Sequence, residues 1–95
     1  MAERSGNGNG RLSAREAVAA VRRDFPGLLG RPLESVLGVE RSDDGWRVTV
    51  QVVELERIPR STDVLGAYAV ELDESGELIG YRRRRRYNRS QADED

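Results

Sequence analysis

The sequence predicts an α+β fold in two layers, in which one N-terminal helix packs on a four-stranded antiparallel meander sheet. Apolar residues recur at helical spacing after Ser13, they alternate with polar residues after Pro32, and two turn sequences separate the alternating segments. A chain of 95 residues is too short for two independent cores. We place a flexible lead-in at residues 1–11, a single domain at 12–89 and a flexible acidic tail at 90–95.

The helix is predicted from its start signal and from its apolar positions. The segment Ser13-Ala14-Arg15-Glu16 fits a capping box, in which the serine hydroxyl and the glutamate carboxylate each accept from the other residue's backbone N–H. The positions Ala17, Val18, Val21 and Phe25 follow at helical spacing. We expect a helix of about 11 to 13 residues that ends at Phe25-Pro26-Gly27, because proline and glycine disfavour helix continuation.

The next two segments predict a hairpin. The first strand is expected from Leu33 to Arg41, and Ser42-Asp43-Asp44-Gly45 is a turn with a glycine available for positive φ. The second strand carries the clearest alternation, with one apolar face formed by Trp46, Val48, Val50 and Val52. Val53 then breaks the alternation, which favours either a bulge near Val52-Val53 or a strand end covered on both faces.

A connection at residues 57–63 leads to the third strand, expected from Val64 to Leu72, and 73–76 is a second hairpin turn. The fourth strand is expected from about Glu77 through the arginine run 82–86 to Tyr87, and short connections favour a sequential meander. On a regular strand, one face would carry Tyr81, Arg83, Arg85 and Tyr87, and the other Arg82, Arg84 and Arg86.

The residue inventory removes most catalytic chemistry. The chain has no histidine and no cysteine, and every basic residue is arginine. These absences exclude thiol nucleophiles, Ser-His-Asp triads, zinc-finger spacings, Schiff-base lysines and P-loop lysines. The acidic pairs at 43–44 and 73–74 fall in turns and lack EF-hand spacing. We therefore expect no enzyme activity, no metal and no cofactor.

The hydropathy pattern predicts a cytoplasmic protein that does not enter a membrane. No segment approaches the roughly 18 consecutive apolar residues of a transmembrane helix. The first residues also lack the apolar core of a signal peptide.

The arginine run predicts a local positive ridge. Glu54, Glu56 and Glu71 on other strands are the expected cross-strand partners, but five arginines outnumber three carboxylates. The ridge therefore needs an anionic partner. A formal net charge of −1 and the absence of an RNA-recognition consensus favour a protein over a nucleic acid. The loop at 58–63 exposes backbone and arginine together, which is typical of recognition loops.

From Trp46 onward the chain carries an ordered set of motifs: a Trp-led strand, a Glu-Leu-x-Arg-Ile-Pro segment, an Asp before the next strand, a Tyr within it, an Asp-x-x-Gly turn and a closing arginine-rich segment. The residues of these motifs are Trp46, Glu54, Leu55, Arg57, Ile58, Pro59, Asp63, Tyr68, Asp73, Gly76, Tyr81, Arg83, Arg86, Tyr87 and Arg89. In this pattern the segment from Val52 to Arg89 resembles the gas vesicle synthesis protein GvpO family.

The resemblance implies a non-catalytic accessory protein for the assembly of gas vesicles, which are hollow protein shells that give cells buoyancy. It implies partners among other gas vesicle proteins, including the small shell protein and the ATPase-like GvpN, and a cytoplasmic location at the vesicles. Two alternatives remain open: a nucleic-acid-binding or regulatory module that uses the arginine-rich strand, and a minor structural component of the vesicle wall.

These observations lead to an adaptor or chaperone-like hypothesis. The loop and the arginine-rich strand would together form the partner-binding surface. The candidate residues are Arg57, Ile58, Pro59, Arg60, Asp63, Tyr81, Arg83, Arg85, Arg86, Tyr87 and Arg89.

Overall fold

The computed structural model describes residues 12–93 and has the predicted α+β architecture, with one long helix on a four-stranded antiparallel sheet of order β1-β2-β3-β4. The elements are α1 (Ala14–Leu29), β1 (Leu33–Ser42), β2 (Gly45–Leu55), a 3₁₀ turn (Arg60–Thr62), β3 (Val64–Asp73), β4 (Leu78–Asn88) and α2 (Arg89–Asp93). The predicted lead-in at 1–11 lies outside the described residues. Residues 90–93 of the expected tail lie in the short helix α2.

Helix α1 begins as predicted but ends later. The capping box is present, since the Ser13 N–H donates to Glu16 at 2.8 Å and the Glu16 N–H donates to the Ser13 hydroxyl at 3.2 Å. The predicted end at Pro26 is wrong, because the helix spans 16 residues and continues to Leu29. Pro26 lies in the last turn, where its missing N–H removes one hydrogen bond but leaves its carbonyl free to accept. The N–H of Gly30, at φ 78°, donates to that carbonyl at 2.8 Å and caps the helix.

Substitution of the two glycines on either side of the helix end tests where the helix ends. Gly27 has open space where a Cβ would lie, whereas Gly30 has the positive φ that disfavours other residues. Gly27→Ala should therefore stabilise the domain by about 0.5–1 kcal/mol, and Gly30→Ala should destabilise it by about 1 kcal/mol. Urea unfolding of both variants measures the difference. Equal effects of the two substitutions would contradict a helix that passes through Pro26.

The main core lies between α1 and one face of the sheet. Phe25 is fully buried, and its ring contacts the rings of Tyr68 at 5.8 Å and Tyr81 at 5.1 Å between centroids. Trp46 heads the apolar face of β2, and its indole N–H donates to the Leu12 carbonyl at 3.2 Å. The other buried members are Ala17, Ala20, Val21, Val48, Val50, Val52, Val70 and Leu72. The alternation in β2 therefore predicts the helix-facing side correctly.

A second, smaller cluster covers the opposite face at one end of the sheet. It consists of the buried residues Leu65, Ala67 and Tyr87, with Val53 packed against them. Val53 is thus apolar because this strand end is covered on both faces, which was one of the two predicted alternatives. A register shift is also present, but it lies between Val53 and Leu55 rather than at Val52-Val53.

Gly45 has a different role from the predicted one. Among the described glycines, positive φ angles occur only at Gly30 and Gly76, so Gly45 does not use its conformational freedom in this way. A Cβ on Gly45 would lie 2.0 Å from the Leu72 carbonyl oxygen. Glycine is therefore required here by the close approach of β3.

An irregularity in β4 changes which arginines share a face. Tyr68 of β3 pairs with Arg83, but the preceding residue Ala67 pairs with Arg85, so Arg84 is an extra residue. The predicted face shared by Tyr81, Arg83, Arg85 and Tyr87 is therefore wrong. Tyr81 and Arg83 lie on the side of α1, whereas Arg85 and Tyr87 lie on the other side. The five identical side chains carry no alternation that could have revealed the bulge.

Within residues 12–93, no helix is both long and apolar enough to cross a membrane.

Candidate functional site

The arginines of β4 divide into two groups by their partners. Arg83 and Arg86 approach the same oxygen of Glu54, at 3.0 and 3.3 Å. The Glu54 side chain is only 5% exposed, and the Tyr68 hydroxyl donates to its other oxygen at 2.7 Å. These two arginines therefore stabilise a buried carboxylate as well as carrying charge at the surface.

The predicted carboxylate partners behave differently from one another. Glu71 binds Arg47 of β2 at 2.6 Å instead of an arginine of β4, because the two residues are directly paired across the sheet. Glu56 is exposed beyond the end of β2. Of the three expected partners, only Glu54 neutralises the arginine run in the described structure.

Three arginines of β4 have no carboxylate partner among the described residues. Arg82, Arg84 and Arg85, which we call the arginine ridge, are exposed, and none has a carboxylate oxygen within 4.0 Å in the part of the chain from 12 to 93. Arg85 instead stacks on the Tyr87 ring, with its guanidinium carbon 4.6 Å from the ring centroid. The predicted site does not include Arg82 and Arg84. They differ from Arg83 and Arg86 only in that they do not bind Glu54, and the sequence does not show which arginines bind it.

The Glu54 cluster predicts loss of stability in acid. Burial alone raises the pKa of Glu54, but the hydrogen bonds from Tyr68 and Arg83 and the charges of Arg83 and Arg86 outweigh it and hold the pKa below the usual 4.5. A carboxylate with a lowered folded-state pKa stabilises the protein above its unfolded-state pKa, and this contribution is lost as the pH falls through the folded value.

Glu54→Gln should therefore destabilise the domain at neutral pH by about 1 kcal/mol and reduce the fall in stability below pH 4.5. Urea unfolding across this pH range measures both effects. Glu56→Gln, which removes an exposed carboxylate, serves as the control. We expect little change in its stability or in its pH dependence. An identical acid dependence in wild type and Glu54→Gln would contradict this role.

A second network joins the strand edges to the loop. The Arg89 side chain is 15% exposed and makes two 2.7 Å hydrogen bonds to the Glu34 carboxylate and two, of 3.1 and 3.4 Å, to Asp63. The buried Asp63 also accepts the Arg57 backbone N–H at 2.8 Å, and its own carbonyl accepts the Arg89 N–H at 2.9 Å. Arg89 therefore links β1, the loop before β3 and the start of α2.

The pKa shifts of the two acids agree with this geometry. The Arg57 backbone N–H is the main cause that holds the pKa of Asp63 below its usual 3.8, with Arg89 contributing. The Arg89 hydrogen bonds are the main cause of the lowered pKa of Glu34. Both carboxyl groups are therefore ionised at neutral pH.

Some predicted site residues are held inside the fold. Asp63, Tyr87 and Arg89 are largely buried, and the Tyr87 hydroxyl donates to the Gln51 side chain. Tyr81 is partly exposed, but its ring belongs to the aromatic contact with Phe25. Asp63, Tyr87 and Arg89 therefore lie beneath the surface, whereas Tyr81 lies partly at it.

The loop residues of the predicted site are exposed. Arg57, Ile58, Pro59 and Arg60 all lie at the surface, and Ile58 is 100% exposed next to a cis peptide bond to Pro59. The loop lies beside the end of β4, where the Asn88 side-chain amide donates to the Thr62 carbonyl at 3.3 Å. The structure therefore brings the loop close to one end of the arginine-rich strand.

The described residues contain no cluster suited to a metal ion. No group of three His, Cys, Asp or Glu side chains in 12–93 could hold a metal ion. An open depression of about 300 Å³ lies beside the ridge and is lined by Arg47, Ala69, Glu71, Gly80, Tyr81 and Arg82. Arg47 is already bound there to Glu71 and to Glu40, so the unbalanced charge of the depression among the described residues comes from Arg82 of the arginine ridge.

The fold and this surface define a small helix-on-sheet domain with an unbalanced cationic edge. Comparison with known proteins agrees: the chain belongs to the GvpO family, described as "Gas vesicle synthesis protein GvpO", whose family model matches residues 1–93. The resemblance predicted from the sequence is thus confirmed, and family membership supports a role in gas vesicle formation.

Three curated relatives show how far the similarity extends. Gas vesicle protein O of a Streptomyces species is 52% identical over 66 residues, which cover 70% of this chain and 52% of the relative. Gas vesicle protein O1 of Halobacterium salinarum is 34% identical over 87 residues, covering 92% of this chain and 67% of the relative. Gas vesicle protein O of Haloferax mediterranei is 32% identical over 81 residues, which cover 84% of this chain and 58% of the relative. The matched segment thus spans about half to two thirds of each relative's length, and no solved structure matches.

Proposed function

We propose that the protein is a non-catalytic adaptor or chaperone-like factor that binds acidic segments of other gas vesicle proteins during vesicle assembly. It acts in the cytoplasm at the growing vesicle. The observation that carries this proposal is the arginine ridge, three exposed arginines on one strand without a carboxylate partner in the described structure.

The ridge suits an acidic protein segment for two physical reasons. Neighbouring arginines repel one another, so a carboxylate brought close to them lowers the free energy of the bound state. Planar guanidinium groups also bind carboxylates through paired hydrogen bonds. Since β4 is an edge strand, the ridge is accessible without any change in the sheet.

Family membership suggests two candidate partners, the small shell protein and the ATPase-like GvpN. A nucleic acid would also be attracted by a local positive strip, but a formal net charge of −1 for the whole chain opposes long-range attraction to phosphate. Protein partners are therefore favoured.

Pairwise co-purification tests the proposal. The tagged protein is co-expressed with each gas vesicle protein encoded beside its gene, treated with nuclease and washed at about 0.1 M and about 1 M salt, where the Debye length falls from about 10 to about 3 Å. We expect at least one of them to be retained at low salt and largely lost at high salt. Recovery of nucleic acid alone, or of no gas vesicle protein at either salt, would overturn the proposal.

A further inference from the structure

We propose that Ile58 is an apolar anchor that inserts into a pocket on the partner protein, and that this pocket has an acidic rim. The inference rests on the proposed function and names the chemistry of the partner at the loop. It concerns a contact distinct from the ionic one at the arginine ridge.

The Ile58 side chain is fully exposed to solvent. Both isoleucines of the chain lie at the surface, but Ile58 is 100% exposed, whereas Ile79 is 60% exposed. Leu55, three positions before Ile58, is also partly exposed. Single exposed apolar side chains are ordinary, so exposure alone does not identify an interface.

The backbone around Ile58 is held in place by hydrogen bonds on both sides. Asp63 accepts the Arg57 N–H at 2.8 Å before Ile58. After it, the Pro59 carbonyl accepts from the Thr62 hydroxyl at 2.7 Å and from the Thr62 N–H at 3.0 Å.

The fixed loop also rests on a fixed base. Asp63 is itself bound by the largely buried Arg89 at 3.1 Å. The backbone that presents Ile58 is thus ordered before any partner arrives, and binding loses little conformational entropy. An ordered loop with a fully exposed apolar side chain has the form of a binding anchor.

The positive charge around Ile58 indicates an acidic rim on the partner's pocket. Arg57 and Arg60 flank Ile58 and Pro59, and neither has a carboxylate oxygen within 4.0 Å of its guanidinium in the described part of the chain. An apolar pocket rimmed by carboxylates complements this arrangement. The loop also contacts the end of β4, through the hydrogen bond from Asn88 to Thr62, so the same partner can reach both surfaces.

The chain supplies its own matched control for the test. Ile58→Ala and Ile79→Ala remove the same atoms from two exposed sites, and Ile58→Val keeps most of the apolar side chain. All three variants should have about the wild-type free energy of unfolding, because substitutions at exposed positions change stability little. Their dissociation constants are measured for the gas vesicle protein retained in the co-purification, at about 0.1 M and about 1 M salt.

We expect Ile58→Ala to weaken binding about tenfold to a hundredfold at both salt concentrations, because burial of an apolar side chain is not screened by ions. Ile58→Val should lose much less affinity, and Ile79→Ala should bind with the wild-type affinity. Equal binding by Ile58→Ala and Ile79→Ala would overturn the anchor while leaving the proposed function intact. If no gas vesicle protein binds the wild type, both fail. A change in self-association alone, measured by sedimentation, would also overturn the proposal, since the occupant would then be a second copy.

Discussion

Reversing the charge of Arg82 and Arg84 is expected to abolish gas vesicle formation while the domain remains folded. Both side chains are exposed and have no carboxylate partner in the described structure, so their replacement breaks no ion pair there. Replacing them by glutamate converts two attractions to an acidic partner into two repulsions. We expect the dissociation constant to rise about a hundredfold at low salt and less than tenfold at high salt.

The measurement is vesicle yield in cells that carry the variant as the only copy of the gene, together with affinity for the retained partner. The control is Arg15→Glu with Arg22→Glu on α1, which changes the formal net charge of −1 by the same amount at exposed positions. The control should form vesicles and bind normally. If both double variants lost function equally, net charge rather than the ridge would be responsible.

Two other arginines of β4, Arg83 and Arg85, also contribute to the packing of the domain. Arg83→Glu would place a second carboxylate against the buried Glu54, so a loss of binding could reflect unfolding. Arg85 packs on Tyr87, whose ring covers the smaller core cluster. Arg82 and Arg84 carry charge without either structural role.

Arg89→Met is expected to have the largest effect on stability among these charged residues. The substitution keeps much of the side-chain length but leaves Glu34 and Asp63 without the cation that they share. Both carboxylates are ionised at neutral pH, because their pKa values are lowered from 4.5 and 3.8. Loss of one partner from a largely buried ionic network costs several kcal/mol, and partial solvent access reduces this to about 2–3 kcal/mol.

Urea unfolding at neutral and acidic pH measures this effect. A lowered folded-state pKa means that the stabilisation is present above the unfolded value and disappears as the carboxylates protonate. The difference in the free energy of unfolding between Arg89→Met and wild type should therefore become smaller below about pH 4. Arg22→Met on the exposed side of α1 is the control and should change stability by less than about 0.5 kcal/mol. A constant difference at all pH values would show that Arg89 acts through packing instead.

The parts of the fold that the sequence predicts are those with a regular pattern. β2 alternates without interruption from Trp46 to Val52, so its buried face follows from the spacing alone. The capping box at Ser13 likewise marks the start of α1, because both of its hydrogen bonds are local. The meander order follows from the short connections between strands.

The other parts depend on contacts that no local pattern contains. Pro26 disfavours helix on propensity, but a helix that packs on the sheet through Phe25 continues to Leu29. The bulge at Arg84 reverses the face of the residues after it, and a run of identical arginines contains no periodicity to show it.

The candidate site was predictable only in outline for the same reason. The sequence indicated an excess of arginine, but which arginines keep their charge depends on the position of Glu54 across the sheet. Arg89 is separated from Glu34 by 55 positions and from Asp63 by 26, so its structural role appears only when the strands are assembled.

The salt dependence of partner binding tests the role of the ridge most directly. The dissociation constant of the wild type for the retained gas vesicle protein is measured from about 0.1 M to about 1 M salt, beside the Arg82→Glu, Arg84→Glu variant. We predict a steep loss of wild-type affinity with salt, a shallow dependence in the variant, and a wild-type slope in the Arg15→Glu, Arg22→Glu control. Wild-type affinity that stays constant across this range would contradict an ionic contact at the arginine ridge.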